Sequence, residues 1–237
     1  FDALSYNEEE GMCKDAYFST PYKKDSDIRS GDSTYNAKSK SGLTDDVAGL
    51  YKTTDGGITW ERINSELYDG FVRVNSLNSD VYVANQNGLY YSSDKGQSFT
   101  CIVADNITGF DLIINEGKAL IYYQLTTGVY KSTSATVFEL IESESYPKYR
   151  FAQQLTVAPS NPNYMMITAR VYGERQYYST YVLYSHNGGK NWSTWTTNLS
   201  TIFFFRDTNP QNREKVLAFN PKNESIAFSF GGDYLMR

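Results

Sequence analysis

Short apolar runs, rich in tyrosine and β-branched side chains, alternate along this chain with polar turns that carry glycine, a pattern of strands joined by hairpins. Leu50-Tyr51, Leu89-Tyr90-Tyr91 and Tyr181-Val182-Leu183-Tyr184 each lead into a turn, and a second strand-like run follows each turn. The turns repeat one phrase: Thr53-Thr54-Asp55-Gly56-Gly57-Ile58-Thr59-Trp60, Ser92-Ser93-Asp94-Lys95-Gly96-Gln97-Ser98-Phe99 and Ser185-His186-Asn187-Gly188-Gly189-Lys190-Asn191-Trp192. A degenerate copy runs from Lys131 to Phe138.

With Thr53, Ser92, Ser132 and Ser185 as opening hydroxyl residues, the interval is roughly 40 to 50 residues, room for four short strands and the signature of a propeller blade. The expected blades are about 1–63, 64–103, 104–141, 142–197 and 198–237. Extra residues of the fourth unit fall between Val171 and Thr180, in the loop from its second to its third strand. Leu155-Thr156-Val157-Ala158-Pro159 and Val216-Leu217-Ala218-Phe219-Asn220-Pro221 repeat as innermost strand and turn. The fifth unit stops where the phrase should begin, so the fold expected is an all-β propeller of about five four-stranded antiparallel blades with the last one incomplete, either a fragment of a larger propeller or one whose exposed edge something else covers. An open strand edge there would otherwise invite pairing.

The phrase has the form Ser/Thr-x-Asp-x-Gly-x-x-Trp/Phe, which resembles the Asp-box, or BNR repeat, of xyloglucanase-type glycoside hydrolases, sialidases and sortilin-type receptors. Its residue types explain a turn. Gly57, Gly96 and Gly189 suit left-handed backbone angles, and Asp55, Asp94 and Asn187 can accept bonds from amides of the turn. Trp60, Phe99 and Trp192 are expected to fold back as aromatic plugs between sheets. The resemblance implies that these corners are structural and that ligands meet the opposite face.

On that face lie the second-to-third strand loops and the connections between blades. The first loop, 23–44, is long and polar and ends at Asp45 and Asp46. The fourth-blade loop gathers Arg170, Tyr172, Glu174, Arg175, Tyr177 and Tyr178, and the connections add Glu66, Tyr68 and Asp69, then Glu142, Glu144, Tyr146, Tyr149 and Arg150, then Arg206 and Asp207. Tyrosine faces stack on sugar C–H surfaces while carboxylate and guanidinium groups bind hydroxyls, so Arg170, Tyr172, Arg175, Tyr177, Tyr178 and Tyr149 are the saccharide-binding candidates. Glycoside hydrolysis needs two carboxyl groups roughly 5 to 9.5 Å apart. Asp45 or Asp46 could supply one and Glu174 or Asp207 the other. The xyloglucanase resemblance implies catalytic aspartates from two propellers, one in a Thr-Asp-x-Gly-Gly loop, yet the matching positions here read Asn85-Gln86-Asn87-Gly88 and Phe230-Gly231-Gly232-Asp233.

The Phe/Tyr-Arg-Ile-Pro signature of sialidases is absent, and Tyr149-Arg150-Phe151 approximates it poorly. A net charge of -5 and scattered Lys and Arg argue against nucleic acid. No apolar run approaches the roughly 20 residues of a membrane-spanning helix. His186 is the only histidine and sits in a turn, so neither a Ser-His-Asp triad nor a histidine metal site is expected, and no metal or cofactor is implied. Asp25-Ser26-Asp27-Ile28-Arg29-Ser30-Gly31-Asp32 lacks the third spaced ligand and terminal Glu of a calcium loop. Cys13 and Cys101 are expected as unpaired thiols, with an inter-blade bridge as the alternative. The family resemblance implies a secreted or cell-surface protein that meets a polysaccharide or oligosaccharide, hydrolytically or as a binding module. The competing class is a sortilin-like propeller that presents its ring to a protein or peptide.

Overall fold

The computed structural model describes residues 5–9, 12–20, 48–146, 151–172, 178–194, 216–231 and 234–236. They form strands and turns, with no helix among them. The chain divides into two compact units, Phe1–Ala104 and Asp105–Arg237.

The first unit holds two sheets. One is β1 (Ser5–Glu9), β2 (Met12–Ser19), β3 (Leu50–Thr53) and β4 (Glu61–Asn64); the other is β5 (Phe71–Val74), β6 (Val81–Asn85), β7 (Gly88–Ser92) and β8 (Thr100–Val103). Each is an antiparallel meander with its strands hydrogen-bonded in chain order, the plan of a propeller blade. The central strand β6, Val-Tyr-Val-Ala-Asn, is buried along its whole length because both of its faces are covered. Tyr17, Leu50, Leu67, Val72, Val74, Val81 and Val83 make one core between the two sheets. The outer strands β4 and β8 begin with exposed residues, as short edge strands do.

The second unit repeats the plan. Its sheets are β9 (Gly109–Asn115), β10 (Lys118–Leu125), β11 (Gly128–Ser132) and β12 (Phe138–Leu140), then β13 (Phe151–Val157), β14 (Met165–Tyr172), β15 (Tyr178–Ser185) and β16 (Ser193–Thr194). The three-stranded β17 (Val216–Asn220), β18 (Asn223–Gly231) and β19 (Tyr234–Met236) follows. Successive residues of β14 face opposite ways, so Met165 and Ile167 join Ile113, Tyr122, Val129 and Trp192 in one core, while Met166 joins Val182 and Leu217 in the next. Apolar side chains on both faces are what let one sheet serve two interfaces.

Polar side chains staple the innermost strands. Asp111 Oδ2 accepts from the Val157 amide at 2.9 Å and from the Thr156 hydroxyl at 3.3 Å, and Gln154 Oε1 accepts from the Leu217 amide at 3.0 Å. These bonds satisfy backbone amides on a strand edge that would otherwise be buried without partners.

The aromatic plugs follow the expectation unevenly. Trp192 is buried in the second unit's core, and Phe99 packs half-buried against the first unit's core. Trp60 is instead 36% exposed, resting edge-on against Phe18 at 4.7 Å with its indole N–H donating to the Gly57 carbonyl at 3.1 Å. The difference is one of position. Trp192 and Phe99 lean on the sheet that precedes theirs within the same unit, whereas Trp60 belongs to the first sheet of its unit.

Candidate functional site

In a four-stranded meander the turns after strands one and three lie at one end of the sheet. The turn after strand two and the connection to the next sheet lie at the other.

At the first end, the opening hydroxyl of each phrase is a hub. Thr53 Oγ1 donates to Asp55 Oδ1 at 2.7 Å and accepts from the Gly57 amide at 2.9 Å. Ser92 makes the same pair with Asp94 and the Gly96 amide, at 2.7 and 2.8 Å, and Ser185 makes it with Asn187 and the Gly189 amide, at 3.0 and 2.9 Å. The acidic or amide residue then accepts from the backbone four positions on: Thr59, Ser98 and Asn191 each donate at 2.9 Å. Gly57, Gly96 and Gly189 have φ of 93, 85 and 87°, left-handed values that favour glycine. The degenerate copy turns differently, with the Thr133 amide donating to the Val137 carbonyl at 2.8 Å and Ser132 Oγ accepting from Ile121.

These bonds decide the chemistry of the corner carboxylates. The Thr59 hydroxyl and amide, followed by the Thr53 hydroxyl, bring the Asp55 carboxyl down to about 2. The Ser98 and Ser92 hydroxyls lower Asp94 further still. Such groups stay ionised and engaged with their own turn, so they cannot donate a proton near neutral pH. His186, in the fourth-sheet phrase, stacks on Tyr164 and meets Tyr184 at a tilt, with ring centroids 4.8 Å from each.

The opposite end is built by clamps. In the first unit the connection from β4 to β5 opens with Asn64 Oδ1 accepting from the Glu66 and Leu67 amides at 2.8 and 3.0 Å, which sets Leu67 into the core. The Asp69 amide donates to the Thr20 carbonyl at 2.8 Å, and the Gly70 amide donates to Ser19 Oγ at 3.0 Å. From the other side, buried Asn85 donates through Nδ2 to the Tyr68 carbonyl at 3.1 Å and accepts the Asn87 amide at 2.9 Å. One amide side chain thus ties the β6–β7 turn to the inter-sheet connection. Glu66, Asp69, Gln86 and Asn87 are left exposed, with Tyr68 half-buried among them.

The second unit uses a different clamp at the same place. Fully buried Gln124 donates through Nε2 to the Tyr146 hydroxyl at 2.9 Å, and that hydroxyl donates to the Leu125 carbonyl at 2.9 Å. Burial raises the Tyr146 phenol, so it remains a neutral donor. Tyr172 pairs with Tyr178 across β14 and β15, and Arg170 with Thr180. This register brings Arg170, Tyr172 and Tyr178 to the loop end of the longest hairpin of the unit.

Asp45, Asp46, Tyr149, Glu174, Arg175, Tyr177 and Asp207 lie outside the described residues. Sequence reasoning missed Ser19, Asn85 and Gln124, the clamp residues. Asn85 stands just before a hairpin turn and Ser19 closes a strand, but neither spacing discloses a partner 17 or 51 positions away. Among the described residues no group of three or more His, Cys, Asp or Glu could hold a metal ion. Cys101 is an exposed free thiol, and no described helix is long and apolar enough to cross a membrane.

No protein-family model matches the chain, and no curated protein sequence does. Solved structures do. The chain is similar to the GH74 xyloglucanase from Xanthomonas campestris, with a TM-score of 0.57 and 14% identity over 98% of this chain and 35% of that one. It is also similar to an ancestral GH74 enzyme, with a TM-score of 0.52 and 14% identity over 97% and 30% of the two chains. A GH74 enzyme from Niastella koreensis aligns at 23% identity over 62% and 26%, with a TM-score of 0.47. The chain therefore spans about a third or less of the length of these proteins. What it shares with the first two is the fold, an all-β propeller built from four-stranded antiparallel blades.

Proposed function

We propose that this chain is part of an extracellular, glycoside hydrolase-like propeller that acts on or binds polysaccharide through the ends of its blades opposite the recurring corners. The observation that carries this reading is the likeness in fold to a GH74 xyloglucanase along 98% of the chain. Two features support the choice of face. The corner carboxylates are tied into their own turns, and the opposite end presents carboxylate, amide and tyrosine groups on connections held in place from both sides.

In the first unit the reading favours binding over hydrolysis. The β6–β7 turn, where the xyloglucanase resemblance would put an aspartate, carries Asn85, whose side chain is used in holding the turn and the connection. Hydrolysis then draws on Asp45, Asp46, Glu174 or Asp207, with at most half of a two-propeller site in this chain.

Affinity electrophoresis and calorimetry against xyloglucan, mixed-linkage β-glucan and their oligosaccharides test the reading, together with reducing-sugar release. Binding to at least one β-glucan is expected. If none is bound or cleaved while an immobilised peptide library retains the protein, the sortilin-like class replaces this one.

A further inference from the structure

We propose that Asp69 is a ligand-contacting carboxylate, presented toward the hydroxyl groups of a neutral saccharide by the clamped connection between the first two sheets. This rests on the polysaccharide reading above and assigns it a residue in the first unit. Asp69 has φ of 53°, in the left-handed region where a side chain costs energy that glycine does not incur.

Among the described residues three other non-glycine residues share such angles: Ser79, Lys95 and Glu116. All three lie in turns after a first or third strand, at the corner end of their sheets. Lys95 occupies the position that Gly56 and Gly188 fill in the sister corners. Asp69 is the one at the opposite end, where the proposed ligand face lies.

The conformation is imposed from outside the residue. The Thr20 carbonyl takes the Asp69 amide, Ser19 holds Gly70, and Asn85 holds the Tyr68 carbonyl. Gly70 itself has no room for a side chain, since a Cβ there would stand 2.9 Å from the Ala84 carbonyl oxygen. The segment thus uses glycine where space demands it and aspartate where the backbone would favour glycine. Strained non-glycine residues that are over-determined by their surroundings concentrate at functional sites.

The chemistry of the neighbourhood matches a sugar. Asp69 is exposed beside half-buried Tyr68, and the adjoining turn, tied to the connection by Asn85, exposes Gln86 and Asn87. A carboxylate can accept from two adjacent hydroxyls, the amides can donate and accept, and a tyrosine ring can meet the C–H face.

Aspartate tolerates left-handed angles better than most residues, so a purely conformational role is the competing account, and the substitutions separate the two. Asp69→Gly removes the carboxylate and relieves the backbone. Asp69→Asn keeps a tolerated, hydrogen-bonding side chain without the charge. Each is measured in the full chain for its melting temperature and for its affinity toward the β-glucan oligosaccharide that the unaltered protein binds. Expected for Asp69→Gly is a single cooperative melting transition, as in the unaltered protein, with affinity reduced about 10- to 100-fold, the range for losing hydrogen bonds to a charged group. Asp69→Asn should fall between the two proteins in affinity. Unchanged affinity in Asp69→Gly overturns the assignment and leaves the polysaccharide reading standing. Failure of the unaltered protein to bind any saccharide overturns both.

Discussion

Alanine substitutions at three equivalent corner glycines separate backbone strain from packing between sheets. Gly57, Gly96 and Gly189 share left-handed φ of 93, 85 and 87°, so alanine costs each about 1–2 kcal/mol on conformational grounds. Their surroundings differ. A Cβ at Gly57 meets nothing nearer than the Trp60 ring at 3.8 Å, and one at Gly189 meets Ile141 and Met165 at ordinary contact distances of 3.4 and 3.5 Å. A Cβ at Gly96 would stand 2.9 Å from Ile63 Cδ1 and 3.3 Å from Tyr17 Cε1. The isoleucine methyl can rotate aside, but the Tyr17 ring is buried and anchored by its hydroxyl bond to the Lys95 carbonyl at 3.0 Å. Overpacking therefore adds about 1–3 kcal/mol at Gly96 alone. The expected order of destabilisation is Gly96→Ala above Gly57→Ala and Gly189→Ala, the last two alike. Urea unfolding of all three variants measures it as a shift of midpoint at constant slope. The change of unfolded-state entropy is common to the three and cancels in the differences. Equal losses at all three positions, or the largest at Gly57, would refute the packing of the second corner onto the first sheet.

Two further outcomes follow from the hydrogen bonds. The Asp55 carboxyl, lowered from 3.8 to about 2 chiefly by Thr59, should titrate near that value in carboxyl-carbon NMR. Because its folded value lies below its unfolded one, its contribution to stability is complete above roughly pH 4 and disappears as pH falls through about 2, and a midpoint near 4 would contradict the corner geometry. Asp111→Ala should cost about 1–3 kcal/mol by stranding the Val157 amide between two sheets, whereas Asp111→Asn, which keeps an acceptor, should cost less than about 1 kcal/mol. Equal thermal shifts for the two variants would show that Val157 does not depend on this acceptor.

Much of the first level of organisation was legible without coordinates, because it is local. The acid or amide and the amide it accepts from lie within one eight-residue phrase, so the Thr59-to-Asp55 bond was readable, whereas the part of the Thr53 hydroxyl as the hub of the turn was not. The same locality explains the failure at Trp60. The aromatic at the end of the phrase is buried only where a preceding sheet of its unit stands against it, as for Trp192, and no residue within the phrase encodes that neighbour. The degenerate copy failed for a local reason: without the acid and the glycine, Ser132 turns its hydroxyl to Ile121 instead.

The candidate site was legible as composition and obscure as geometry. Tyr68, Asp69 and Tyr146 were visible as members of polar, tyrosine-bearing connections, since such segments follow the outer strand of each repeat. Their holders were not. Ser19, Asn85 and Gln124 act across 51, 17 and 22 positions, on backbone groups whose location depends on how two sheets pack. The amino-acid order by itself determined the repeat, the all-β class and the self-closing corners, because short-range hydrogen bonds and alternating burial write themselves into adjacent residues. Only the tertiary structure decided which aromatic is covered, which carboxylate is held in a strained and exposed pose, and which amide holds it there, because each depends on contacts between residues that the chain keeps far apart.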